Sequence, residues 1–396
     1  MKSKSFPAWV GIALAFYAFI AIAIAESGLG VLLPSILAAY NLTPATVTIL
    51  FFSQISGYFV AALTSSLLSD RMGLTRMVLL AAICVTSALC IYASTPHWIV
   101  MVITGTLLGL GVGLIDAGIN TFMSHKQGSA NLMGLLHAFY GIGALAGPAI
   151  ATTLLTFGVN WRSAYWFFAG VVALLVAGML WAVSQRHLLM DLPTSPHQSA
   201  GGNLRQALKT PVVLAAGLFL LIYVGTEAAI GIWAYSVQTI GRDTPVAIAG
   251  YSVTAYWLGL TIGRLSMGQL MKPIGATRLI DYSLILLIAG LLIWWLFPHQ
   301  LWSLPLLGFA LSAIFPTTIW LMPRRVSGAI VPAAIGFLTS MGSVGAVSIP
   351  TGIGWIADKG SLEIVPMVML PLAVLMVILQ RWLVKNTELI ADTESI

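Results

Sequence analysis

The sequence predicts an all-α membrane protein: twelve transmembrane helices in two pseudo-symmetric six-helix bundles. Composition is the first reason. Of 396 residues, 59% are hydrophobic and 8% charged, with a mean hydropathy of +0.97, against roughly 25% charged in ordinary soluble domains. A soluble fold cannot hide that much apolar surface, so most soluble enzyme classes are excluded. Spacing is the second reason. Twelve units of 33 residues fill the chain, and about 20 residues cross the hydrocarbon core. Third, the apolar runs are continuous, whereas a β-barrel alternates in segments of about ten residues.

The first run, roughly 8–38, has no cleavage site after it and reads as a span, not a removable signal. It holds Glu26, 18 residues from Ala8 and 14 from Tyr40, near mid-depth. Run 2, 44–68, holds Gln54. Run 3, 76–94, holds Cys84 and Cys90, six apart and too far round a helix to bond each other, which read as buried thiols. Run 4, 98–123, carries Gly105, Gly109, Gly111 and Gly113, then Asp116 and, one turn on, Asn120. Asp116 is ten residues before Lys126, or about 15 Å of helix from the inner surface. Run 5, 132–157, places His137 and Tyr140 three apart on one face, then Gly143, Gly147 and Pro148, a segment able to flex. Run 6 covers 163–184.

The polar stretch 185–210, with Pro193, Pro196, Gly201 and Gly202, divides the chain into a bundle at 1–184, a linker, and a bundle at 211–396. Run 7, 212–238, holds Glu227 and Trp233; run 8, 246–271, holds Tyr256, Trp257 and Arg264. Runs 9 to 12 follow at 279–297, 302–322 (with Trp320), 331–356 and 365–384. Trp9, Trp98, Trp161 and Trp302 fall near run ends and read as interfacial belt residues. With the N-terminus inside, 14 Lys and Arg fall in cytoplasmic segments and 3 in outer ones. That bias predicts both termini in the cytoplasm.

The halves repeat. Gly134, Leu136, Gly143, Ala144 and Pro148 match Gly336, Leu338, Gly345, Ala346 and Pro350 at an offset of 202, as Gly73 and Arg76 match Gly275 and Arg278. Glu26 and Gly30 match Glu227 and Gly231 at 201. Two parallel six-span halves place a binding site between them near the bilayer midplane.

Ionisable groups inside spans are the strongest functional signal, because each costs about 2.5–3.5 kcal/mol at a helix centre. Glu26, Asp116 and Glu227 at similar depth are candidate proton-coupling acids facing a polar cavity. Pairing with a neighbouring arginine, or a hydrogen bond to a hydroxyl, is the structural alternative, weighed more evenly for Glu227. Arg264, eight residues before Lys272, reads as an anchor of the inner end of run 8, paired with an acid, or as part of a gate. Gln54, Asn120, His137, Tyr140, Trp233, Tyr256, Trp257 and Trp320 are candidate solute contacts, since amides bond hydroxyls and indoles stack on sugar faces. For any single aromatic, core packing is the alternative. No P-loop, nucleic-acid motif, zinc spacing or Ser-His-Asp arrangement is present, so no cofactor, metal, nucleic-acid partner or enzymatic activity is expected.

Between runs 2 and 3 the chain reads Ser66-Leu67-Leu68-Ser69-Asp70-Arg71-Met72-Gly73-Leu74-Thr75-Arg76. This resembles the loop signature of the major facilitator superfamily. Asp70, Arg71 and Gly73 match; Ser66 replaces its first glycine and Leu74-Thr75 its basic pair. The resemblance covers the chain and implies alternating access, with Asp70 and Arg71 helping to close the cytoplasmic side. Run 5 from Asn131 to Ala144, Tyr223 to Glu227 and Trp257 to Arg264 look like spans 5, 7 and 8 of the fucose–proton symporter-like branch. That branch carries acids in spans 1 and 4, where this chain has Glu26 and Asp116. The resemblance implies a proton-coupled carrier of a small polar organic solute, a sugar or sugar derivative first, acting as a monomer in a cell membrane, a bacterial inner membrane by expectation. Gly143 to Pro148 also resembles the span 5 signature of drug–proton antiporters, so export of amphipathic compounds stays open.

Overall fold

The computed structural model describes residues 9–124, 126, 129–184, 190 and 201–387. Twelve helices in it are long and apolar enough to cross a membrane. In order they are span 1 (Trp9–Tyr40), span 2 (Pro44–Met72), span 3 (Leu74–Ser94), span 4 (Trp98–Ser124), span 5 (Leu132–Thr156), span 6 (Trp161–Ser184), span 7 (Pro211–Gly241), span 8 (Val246–Ile274), span 9 (Ala276–Leu296), span 10 (Ser303–Arg325), span 11 (Gly328–Lys359) and span 12 (Leu362–Lys385). Helix satisfies every backbone group within its own segment, which is the condition for crossing hydrocarbon. The chain divides into two compact units, Met1–Pro196 and His197–Ile396. The expected linker lies outside the described residues except for Met190 and 201–210, where Gly201–Ala207 forms a short helix.

Local chemistry sets the joints. Thr43 caps span 2, its hydroxyl accepting from the Thr46 N–H at 3.2 Å, with Pro44 at the first helical position. Asn41 ends span 1 in the left-handed conformation at φ 51°. Gly73 between spans 2 and 3 has φ 83° and ψ 150°; Gly275 between spans 8 and 9 has φ 84° and ψ 148°. Both positive-φ corners fit glycine, so the loop repeat noticed in the sequence is also a repeat of backbone shape.

Each unit packs in the same pattern. Span 1 lies on span 5, span 2 on span 4 and span 3 on spans 4 and 6; span 7 lies on span 11, span 8 on span 10 and span 9 on spans 10 and 12. Small residues make the closest approaches, as helix packing in lipid requires. A Cβ at Gly57 would strike the Thr106 carbonyl, and one at Gly109 the Gln54 carbonyl. In the second unit Gly259 abuts the Pro305 carbonyl and Gly308 the Tyr256 carbonyl. Gly143 and Gly147 press against Ile20, Ala23, Ser27 and Ile24 of span 1, and span 5 runs unbroken through Pro148. The helix breaks fall elsewhere, at Gly28 in span 1 and Ala313 in span 10.

A polar clasp ties one end of each unit. In the first, Tyr40 donates to the Thr95 carbonyl at 2.8 Å and Arg162 to the same oxygen at 3.0 Å. In the second, Arg242 donates to the Trp294 carbonyl at 2.7 Å. Burial pulls the Arg242 guanidinium below its ordinary pKa, and the charge of Glu363 opposes that shift.

Two residues depart from their expected settings. Trp161 is not an interfacial belt residue: it is 8% exposed, edge-on to Tyr40 and Tyr165, with Arg162 over its ring. The clasp buries it. Cys84 and Cys90 are free thiols, as expected, but half-buried, because they fall on the flanks of the packed face of span 3.

Candidate functional site

Unit 1 gathers six polar side chains from spans 1, 2, 4 and 5. Glu26 sits two residues before the break at Gly28. Its side chain is exposed, and its Oε2 accepts from the Tyr140 hydroxyl at 3.1 Å. Tyr140 and His137 both set a ring edge-on to buried Phe19, with centroids 6.2 and 6.1 Å away. That fixes the two side chains on the face their spacing predicts.

Asp116 is held at both oxygens. The Tyr58 hydroxyl donates to Oδ2 at 2.5 Å, and the Asn120 amide donates to Oδ1 at 2.8 Å and to the Asp116 carbonyl at 3.0 Å. Asp116 lies close enough to Glu26 and His137 to interact with both electrostatically. Among the described residues, no Lys or Arg comes within ion-pair distance of Glu26 or Asp116.

Gln54 stands apart. Its amide donates to the Tyr92 hydroxyl at 3.4 Å, in the packing of spans 2 and 3.

Unit 2 treats its acid differently. Glu227 forms an ion pair with Arg264, whose Nη2 lies 3.3 Å from Oε1 and 3.4 Å from Oε2. The Tyr223 hydroxyl also donates to Oε2, and the Tyr256 hydroxyl donates to the Glu227 backbone carbonyl at 3.0 Å. Arg264 therefore pairs with an acid, as expected, and that acid lies on the adjoining span. Trp233 is fully buried, its indole donating to the Pro350 carbonyl at 2.9 Å. Buried Tyr256 lies edge-on to Trp257 at 5.3 Å, and the Trp257 ring covers Gly231. Trp320 is 38% exposed, with the Arg324 guanidinium 3.5 Å above its ring.

The remaining candidates sit at span ends. Asp70 and Arg71 are exposed on the last turn of span 2. Among the described residues no group of three or more His, Cys, Asp or Glu could hold a metal.

Tyr58 and Tyr223 are site residues that sequence reasoning missed. Tyr223 was legible, four residues before Glu227 and so on its face. Tyr58 was not, because its acid is 58 residues away on another span.

Residues 15–318 match the Major Facilitator Superfamily family model. The chain is 23% identical over 368 residues to the glucose/mannose transporter GlcP of Bacillus subtilis, covering 91% of each. It is 24% identical over 394 residues to bypass of stop codon protein 6 of Saccharomyces cerevisiae, covering 88% of this chain and 77% of that one. Among solved structures, the nucleoside transporter NupG superposes with a TM-score of 0.74 at 16% identity, over 96% of this chain and 98% of the other. A variant of the E. coli fucose:proton symporter FucP gives 0.64 at 16% identity, over 94% and 98%. A D-xylose-proton symporter gives 0.75 at 12%, over 97% and 98%. These likenesses show a shared fold. With twelve spans in two repeated units and a family match over most of its length, the chain belongs to the Major Facilitator Superfamily and is a membrane transporter of small solutes.

Proposed function

We propose that this transporter is proton-coupled and carries a small uncharged polyhydroxylated solute, a sugar or sugar derivative, by alternating access. One observation carries the reading: Glu26 and Asp116 lie within spans without a Lys or Arg partner among the described residues, each held by a tyrosine. A carboxylate in a span is costly while charged, and a proton removes that cost during the change of state. Glu26, exposed and accepting one hydrogen bond, takes and releases the proton. Asp116, with a donor on each oxygen, is the second acid of the coupling pair and is fixed in place by those bonds. Asn120, His137 and Tyr140 supply hydroxyl-binding groups beside these acids, and Trp257 and Trp320 supply aromatic faces in the second unit. Glu227 serves as the fixed partner of Arg264, while Asp70 and Arg71 act at the cytoplasmic gate. The names of relatives and neighbours, a glucose/mannose transporter and fucose and xylose proton symporters, point to the same solute class. The reading includes a monomer in a cell membrane with both termini cytoplasmic.

Uptake into proteoliposomes driven by an inward proton gradient tests this. Glu26→Gln is expected to abolish accumulation while keeping solute exchange without a gradient. Asp116→Asn is expected to lower both. Unchanged proton-driven accumulation in both variants would overturn the reading, and outward flux against the gradient would assign the chain to export instead.

A further inference from the structure

Pro350, which the repeat matches to Pro148, weakens span 11 from within. It has no N–H, so the Ala346 carbonyl four residues earlier loses its helical partner, and the ring crowds that oxygen. The helix nevertheless runs unbroken from Val331 to Lys359. Span 7 supports it there from two sides. A Cβ at Gly225 would strike Ile349, and one at Gly345 the Leu221 carbonyl, so the two spans touch closely just before the proline. Fully buried Trp233 then donates its indole N–H to the Pro350 carbonyl at 2.9 Å. Burial alone does not secure such a bond: the indole nitrogens of Trp257 and Trp294, buried in the same unit, have no partner among the described residues. Gly225 and Trp233 also bracket Glu227 on the unbroken helix Pro211–Ser236. The segment that carries the ion pair with Arg264 is thus the one held to the proline.

Unit 1 has the proline without this grip. The residues matching Trp233 at offsets of 201 and 202 are Leu32 and Val31, both buried and without a side-chain donor. Span 1 breaks at Gly28, beside Gly147, whereas its counterpart Ala229 in span 7 lies within continuous helix.

We propose that Trp233 is a positioning residue for transport: its bond to the Pro350 carbonyl locks spans 7 and 11 into one body across the proline, so that bending during the transport cycle falls to unit 1. The inference rests neither on proton coupling nor on the identity of the solute.

The test follows movement and transport separately, in the full chain carrying Cys84→Ala and Cys90→Ala. Movement is read by double electron–electron resonance between spin labels on Ile240→Cys and Ile356→Cys, exposed positions toward the ends of spans 7 and 11. A single narrow distance is expected, and Trp233→Phe, which keeps a ring and loses the donor, is expected to broaden it. The same variant is expected to slow D-glucose counterflow in proteoliposomes about fivefold, the weight of one hydrogen bond, with KM unchanged. Adding Pro350→Ala restores an N–H to span 11 and is expected to rescue both the distance and the rate, which lost packing alone would not do. A Cβ at Gly342 would lie 3.7 Å from that of Val224, the separation a disulfide needs. Oxidised Val224→Cys/Gly342→Cys is therefore expected to keep its counterflow. An unbroadened distance in Trp233→Phe, no rescue by Pro350→Ala, a raised KM at unchanged rate, or counterflow lost on oxidation and regained on reduction would overturn the lock. Should Trp233→Phe fail to fold, the disulfide decides. Absence of D-glucose counterflow in the wild type counts against the solute reading, and the spin-label distances still decide the lock.

Discussion

Each of the three intramembrane carboxylates has a tyrosine hydroxyl on it: Tyr140 on Glu26, Tyr58 on Asp116 and Tyr223 on Glu227. The difference lies in the arginine, which among the described residues only Glu227 of the three has. Tyr58→Phe removes one of two donors to Asp116 side-chain oxygens, so proton-driven uptake is expected to fall about tenfold. Its pH profile is expected to move while the folded fraction holds; an unmoved profile would mean that Tyr58 only packs. Arg264→Gln leaves Glu227 in the span without its partner. The expected loss is about 3 kcal/mol, the low end for breaking a buried pair, because the Arg264 side chain is 33% exposed. Adding Glu227→Gln to that variant is expected to restore much of the stability, as thermal unfolding of the double mutant would show. The acids and Arg264 were legible one by one, since any charge in an apolar run stands out. Their partners were mostly not: a contact between spans depends on rotation about each helix axis, and hydropathy does not encode it.

Glycine carries the packing at the scale of the elements. Gly57 and Gly109 bring spans 2 and 4 together, and Gly259 and Gly308 do the same for spans 8 and 10. Gly109→Val would drive a side chain into the Gln54 carbonyl, and backbone has no rotamer by which to yield. A loss of about 1–3 kcal/mol is expected, read as a lower unfolding temperature in detergent. Gly134→Val is the control, since nothing lies within 4 Å of a Cβ there, and it is expected to be near neutral. The sequence marks these glycines as candidates for close packing without saying which face a neighbour. Gly143 and Gly147 illustrate the gap. They suggest a flexing segment beside Pro148, yet the helix is continuous there and both lie hard against span 1.

For the whole molecule, repetition is the organising fact. The two units share helix order, packing partners and the glycine corner at Gly73 and Gly275, but among the described residues their chemistry differs: acids without an arginine in one, an ion pair in the other. Each unit holds its own packed core. Separate chains cut within 185–210 and co-expressed are therefore expected to recover solute uptake that neither half shows alone; uptake by one half alone would sink the two-unit mechanism. Amino-acid order was enough to establish the class, the number of spans, the repeat and the acids to watch. Those properties rest on the energy of moving residues from water to hydrocarbon, which is nearly additive along the chain. Three-dimensional packing was needed to reveal that Arg264 meets Glu227, that Trp233 and Trp161 are packing residues, and that Arg325 is buried with two of its nitrogens unbonded. These depend on how helices distant in sequence turn toward one another, and that is set by the close fit of many side chains together.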